Sequence, residues 1–253
     1  SFKEYNDVKS NNSKEENFAN YLKYGGMPLI TSLNDSELIT NYLLDIKDVV
    51  LKNDVISRNS IKDIALLDNL LQFTSSVIGN LTSATNITDY INKAGRRVHN
   101  ETVDSYLKML ENAYIIYRVP RYSLDGKNLL KTQGKYYFVD QGIRNVINGF
   151  ASYDSGSAFE NIVYMELLRR GYQVYVGKHR DVEIDFIAIS PNETKYYQVC
   201  RNISDKEVLE REKRSLLLLN DNYEKIIITN DKYDNTVIDG IKIQNIIDFL
   251  LEE

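Results

Sequence analysis

Four residues in the last hundred positions, Glu160, Asp185, Gln198 and Cys200, have the types and spacing of a reactive site. The segment Val182-Glu183-Ile184-Asp185-Phe186-Ile187-Ala188 reads as a strand. Alternation along it turns Ile184, Phe186 and Ala188 to a core and leaves Glu183 and Asp185 on the opposite face. On the following strand Gln198 and Cys200 share a face, and Glu160 sits on the helix before the first strand. Two carboxylates on neighbouring elements hold Mg²⁺ through hard oxygens, and a lysine nearby would position an attacking water. The third strand departs from that chemistry. Gln198 brings no formal charge to a divalent cation, and Cys200 is a poor partner for Mg²⁺ and no substitute for an ammonium. Taken singly, Asp185 also reads as a solvated strand carboxylate, Glu160 as an exposed helix residue and Cys200 as a small buried hydrophobe.

The elements around these residues follow from periodicity. A helix over about 157–170 stops at Gly171, with Arg169 and Arg170 in the last turn, where the helix dipole favours cations. Strands follow at 173–177, 182–190 and 195–200, then a helix over 205–219, strands at 225–229 and 241–243, and a helix over 245–252. The order α-β-β-β-α-β predicts an α/β module on a mixed sheet. Upstream, one helix carries Ile61, Ile64, Ala65, Leu67, Leu70 and Leu71, a short one ends at Gly95, and Asn100 caps a third. Strands at 114–120 and 135–140 complete three helices and a β-ribbon, the order of a winged helix-turn-helix. Before these, Phe18, Tyr21 and Leu22 mark a helix ended by Gly25-Gly26. A second helix from Asp35 or Ser36 to about Val55 would bury Leu38, Tyr42, Leu43, Ile46, Val49 and Val50.

The 253 residues suffice for one large or two small domains, and 43% hydrophobic with 26% charged residues is ordinary for a globular chain. One cysteine and two histidines exclude a disulfide framework and a Cys/His zinc cluster. No apolar run approaches a membrane span, and Ser1–Lys9 has no apolar signal region, which predicts a cytoplasmic protein. The net charge of -5 is unevenly spread. Residues 1–57 carry -3, residues 58–149 carry +4 and residues 150–253 carry -6, so only the middle segment suits a polyanion. Its third helix is net acidic, through Glu101, Asp104, Lys108 and Glu111. Arg96, Arg97 and His99 precede that helix, and Arg118, Arg121, Lys127, Lys131 and Lys135 outnumber Asp125 on the ribbon. The nucleic-acid contacts expected from this footprint are Arg96, Arg97, His99, Arg118, Arg121, Lys127 and Lys131. Protein packing by the same winged helix is an equal expectation.

The helix, strand and strand positions of Glu160, Asp185 and Gln198 resemble the layout of the PD-(D/E)xK nuclease fold of restriction endonucleases and Holliday-junction resolvases. A wider resemblance covers nearly all of residues 14–253. It rests on Gly25-Gly26-Met27-Pro28, Thr102-Val103, Tyr106-Leu107, Tyr137-Phe138-Val139-Asp140-Gln141-Gly142, Phe159-Glu160-Asn161, Glu183-Ile184-Asp185-Phe186 and Tyr197-Gln198-Val199. In this order they look like the C-terminal part of prokaryotic predicted ATPases of the AAA superfamily that end in a domain of unknown function. The resemblance implies a helical lid remnant at 1–57, a winged helix at 58–150 and a restriction-endonuclease-like αβββαβ module at 151–253. It also implies an upstream nucleotide-binding domain holding ATP and Mg²⁺. This chain has no G-x-x-x-x-G-K-[ST] motif and is not expected to hydrolyse ATP. The expected function is a regulatory and binding region with an inactive nuclease-like module that recognises DNA or a partner protein. The alternatives are an active Mg²⁺-dependent nuclease, with the metal at Glu160, Asp185 and Gln198, and a self-associating scaffold.

Overall fold

A computed structural model describes residues 1–153, 155–232 and 236–252, with the side chains of Lys131 and Thr132 outside the described set. The amino-terminal part is helical: α1 (Phe2–Val8), α2 (Lys14–Tyr24), a 3-10 turn (Pro28–Ser32) and α3 (Ser36–Val50), which continues into a π-helical segment (Leu51–Ser57). Three helices follow, α4 (Ile64–Ser76), α5 (Ala84–Lys93) and α6 (Asn100–Asn112), then the ribbon β1 (Ile116–Ser123) and β2 (Asn128–Phe138). An isolated antiparallel bridge links Thr82, ahead of α5, to Gly134 on β2. After α7 (Gln141–Ile147) come α8 (Gly156–Arg169), β3 (Gln173–His179), β4 (Val182–Ile189), β5 (Thr194–Cys200) and α9 (Lys206–Leu217). The chain closes with β6 (Glu224–Thr229), β7 (Thr236–Ile238), β8 (Ile241–Asn245) and α10 (Ile246–Leu251). No helix among the described residues is long and apolar enough to cross a membrane.

Among the described residues the strands form one mixed eight-stranded sheet in the order β2-β1-β3-β4-β5-β6-β8-β7. The ribbon is part of it, because Arg121, Tyr122 and Ser123 of β1 run parallel to Val176, Gly177 and Lys178 of β3. One face packs under α8 and α10 through Tyr137, Phe159, Val163, Phe186, Tyr197, Ile228 and Phe249. The other packs under α9 through Ile184, Ile187, Tyr196, Leu216 and Ile227. A separate helical core joins α3–α6 to the inner side of the ribbon through Leu43, Leu67, Leu107, Ile116 and Phe138. A register shift opposite Tyr175/Gly177 alters the expected alternation of β4. Phe186 and Ala188 face α8, whereas Ile184 lies with Ile187 on the α9 side.

Local chemistry fixed most elements as expected, with three further corrections. In α3, capped by Asp35, Ile39 and Leu43 are the buried positions, while Leu38 and Val49 are exposed. The fully buried stripe is narrower than the apolar one, with Tyr42, Ile46 and Val50 only partly buried against the same core. Asn100 opens α6 instead of capping it; His99 holds the cap position without a side-chain bond. The ribbon strands start and end away from 114–120 and 135–140, since β1 extends to Ser123 to meet β3 and β2 begins at Asn128.

Two quoted motifs prove to be spatial partners. The half-buried Asp140 caps α7 through Ile143 N and also accepts from Gly26 N at 2.7 Å. Gly25 ends α2 at φ 79°, and a Cβ there would lie 2.1 Å from Asp140 Oδ1. A Cβ on Gly142 would lie 2.0 Å from the Tyr24 carbonyl oxygen. Left-handed backbone and close approach together demand glycine at position 25. Gly25→Ala is expected to cost about 2–4 kcal/mol, read as a lower urea midpoint with an unchanged m value.

Candidate functional site

The site is assembled from three separate parts of the chain. Lys135 comes from β2, and the alternation that buries Tyr137 completely turns Lys135 to the same side. Its side chain is 3% exposed, and Nζ donates to Glu160 Oε2 at 3.0 Å, Glu183 Oε1 at 3.0 Å and Asp185 Oδ1 at 3.1 Å. Two strands lie between β2 and β4 in the sheet, so a flat sheet would separate them by roughly 14 Å. Sheet twist and the long lysine close that distance. Lys135 is therefore not the surface cation its place on the ribbon suggested. The signal available in the sequence was its i, i+2 relation to a buried tyrosine.

Glu160, on α8, also accepts from Tyr137 Oη at 2.7 Å. The next residue, Asn161, clasps the β2 main chain, accepting from Phe138 N at 2.7 Å and donating to Phe138 O at 2.9 Å. The motif Phe159-Glu160-Asn161 thus holds the motif Tyr137-Phe138 by side chain and backbone at once. Gly79, before α5, closes the site on another side; a Cβ there would meet Glu160 Oε2 at 3.0 Å.

Asp185 sits where β4 and β5 diverge, just beyond the last ladder pair Phe186–Tyr197. Side chains replace the missing ladder bonds. Val199 N donates to Asp185 Oδ2 at 3.0 Å, and Asp185 N donates to Gln198 Oε1 at 2.7 Å. Gln198 Nε2 then donates to Glu212 Oε2 on α9 at 3.0 Å, and Arg211 holds the other Glu212 oxygen at 2.7 Å. Glu160, Asp185, Gln198 and Cys200 line one cavity of about 490 Å³. Within it Glu160 belongs to the α8 side, Gln198 turns to α9, and Asp185 connects the two. Cys200 is half-buried; its thiol lies 3.2 Å from the Asn202 carbonyl oxygen, and burial raises its pKa.

Burial, and next the Asp185 charge, raise the Glu160 carboxyl to about 7, against the opposing pull of Lys135. Burial works against the charge on Lys135, yet Asp185, Glu160 and Glu183 hold its pKa above the usual lysine value. Burial also raises the Tyr137 phenol, so it remains a donor to Glu160.

These groups do not fit the Mg²⁺ site expected at Glu160, Asp185 and Gln198. Mg²⁺ needs near-octahedral oxygens at about 2.0–2.1 Å. The point shared by the carboxylates is where the Lys135 ammonium bonds, both Asp185 oxygens are engaged, and the Gln198 amide oxygen is spent on Asp185 N. Among the described residues no three His, Cys, Asp or Glu side chains are arranged to hold a metal ion.

The expected nucleic-acid contacts do not form one cluster with this cavity. Arg97, His99, Arg118 and Lys127 are exposed. Arg96 is paired with Asp63, and Arg121 bonds Gln133 Oε1 at 3.2 Å. The Lys131 side chain lies outside the described residues.

A model of a domain of unknown function, DUF8612, matches residues 15–154, more than half of the chain. The chain belongs to the DUF8612 family. The family region contains Lys135 and ends before Glu160, so the site spans its boundary. An uncharacterized protein of Haemophilus influenzae is 37% identical over 256 residues, covering 100% of this chain and 63% of the relative. An uncharacterized protein of Methanocaldococcus jannaschii is 27% identical over 211 residues, covering 82% of this chain and 45% of the relative. The chain thus spans less than two thirds of the length of these relatives. No solved structure matches it.

The raised Glu160 carboxyl gives a signed pH prediction. The folded state binds this proton more tightly than the unfolded state, so its stabilising contribution is full below the ordinary value of 4.5 and is lost as pH rises to about 7. Across that window, denaturant unfolding of the wild type should lose up to about 3 kcal/mol relative to Glu160→Gln. Lys135→Met should cost about 3–5 kcal/mol at pH 7, by leaving buried carboxylates without their cation. Adding Glu160→Gln to Lys135→Met should restore part of that loss in the same measurement.

Proposed function

We propose that this chain is the binding and coupling region of an AAA-type ATP-dependent protein, in which a nuclease-like module has become a silent framework for nucleic-acid recognition. The observation that carries the reading is the Lys135 ammonium bonded to Glu160, Glu183 and Asp185, where a nuclease would need a divalent cation. Gln198 adds to it by serving as a hydrogen-bond splice between β4 and α9, not as a ligand.

The proposed organisation is a lid remnant at 1–57, a winged helix at 58–150 and a restriction-endonuclease-like module at 151–253. The α4–α5–α6 order with the Thr82–Gly134 bridge and the following ribbon supports the winged helix. The α8-β3-β4-β5-α9-β6 order, with Asp185 at the splay of two strands, supports the nuclease-like module. The greater length of the relatives is consistent with a further domain, where ATP and Mg²⁺ would be held. A second reading, an active Mg²⁺-dependent nuclease, has one feature in its favour: Lys135 brings to the carboxylates the ammonium that Cys200 does not supply.

Two measurements separate these readings. Incubation with linear and branched DNA plus Mg²⁺ or Mn²⁺ is expected to leave both intact. Cleavage that disappears in Asp185→Ala would replace the silent-framework reading with the nuclease. In fluorescence anisotropy at 50 mM salt, a labelled 30-bp duplex should bind, with affinity falling steeply by 200 mM. The absence of binding at low salt would end the nucleic-acid reading.

A further inference from the structure

We infer that the tips of the β1–β2 and β3–β4 hairpins form one cationic ridge that holds the phosphate backbone of a nucleic acid. This rests on the nucleic-acid part of the proposed function and says which surface performs it. The two tips are distant in sequence and fixed together in space. Beyond the parallel pairing of 121–123 with 176–178, Leu124 N donates to Lys178 O at 2.9 Å. Asp125 Oδ2 accepts from Arg180 N at 2.7 Å, and Asp125 Oδ1 lies 2.9 Å from His179 Nδ1. Behind them the Tyr122 and Tyr175 rings pack with centroids 5.7 Å apart. The ribbon is therefore braced by a second hairpin along one side.

Charge follows from that bracing. Residues 121–128 carry two Lys/Arg and one Asp, and residues 178–181 carry two Lys/Arg and one Asp. With His179 neutral, the joined tips hold +2 in a chain whose total is -5. Of the two acids, Asp125 is occupied with Arg180 N and His179, and Asp181 is exposed beside Arg180. Lys127 and Arg180 are exposed, and both sit at turn positions with positive φ, 48° and 53°. Lys178 adds a half-buried cation on the strand between them. Strands of one sheet lie about 5 Å apart, so the turns present their cations as a compact row. Such a row neutralises several phosphates without reading base edges, and its binding is electrostatic and salt-dependent. The hairpin at 178–181 was not among the contacts expected from the sequence. Its charge matters only because β1 places the ribbon tip beside it.

The test uses the full chain and fluorescence anisotropy between 50 and 200 mM KCl, with duplex DNA, single-stranded DNA and duplex RNA of equal length as separate probes. The variant is Lys127→Asn/Lys178→Gln/Arg180→Asn, with asparagine chosen because it tolerates left-handed backbone. Its unfolding midpoint should match the wild type; if it does not, Lys127→Asn/Arg180→Asn replaces it. The ridge predicts at least tenfold weaker binding of the preferred probe at 50 mM. It also predicts a plot of log K against log salt that is shallower by about 2–3 for a duplex, or about two-thirds of that for the double variant. Lys52→Gln, an exposed cation of the π-helical segment, should leave the slope unchanged. Wild-type binding with an unchanged slope in the ridge variant would overturn the ridge and leave the proposed function standing. If none of the three probes binds the wild type, both fall.

Discussion

A single buried ammonium group organises this protein. Lys135 leaves the ribbon, passes under two strands and is met by carboxylates from α8 and β4. Desolvating a lysine and several carboxylates is costly, and the attraction regained inside rarely exceeds that cost by much. The cluster is therefore better understood as a positional device than as a source of net stability. An ammonium has three donors, and all three are used, so few other placements of β2 would satisfy it. Burial keeps a share of Glu160 protonated near neutrality, which trims the excess negative charge of one cation among three acids.

The same logic extends outward. Asn161 fastens the β2 backbone, Asp140 fastens the end of α2, and Asp185 with Gln198 splices the gap between β4 and β5. Each is a polar side chain satisfying main-chain groups that regular secondary structure leaves open. The polar residues that first suggested catalysis are thus largely consumed in joining segments. Lys127 and Arg180, at the hairpin tips, are among the cations that remain exposed.

Much of this was legible in the sequence, and the illegible part has a common cause. Periodicity and caps located α2, α5, α8, α9 and the strands around Asp185, because those signals are local. Glu160 and Asp185 both bond Lys135, a meeting for which the sequence offered only a resemblance to a nuclease layout. Three things were not legible. Lys135 entered the count as a ribbon cation, since nothing local shows that a strand three places away supplies its partners. The short α1, α7 and β7 carry too few residues for a periodic pattern, and α7 depends on Asp140, whose cap is shared with Gly26. The union of ribbon and α/β sheet is a long-range pairing of three residues, invisible in composition.

That union bears on where the chain can be divided. A cut near residue 150, the boundary its element order invites, would strip β3 of its neighbour β1 and leave an unpaired strand edge inside what had been a continuous sheet. It would also strand Glu160, Glu183 and Asp185 without their counter-ion. A bare edge beside uncompensated acids invites sticking to other copies, so the two halves are best regarded as one folding unit whose seams are sewn from both sides.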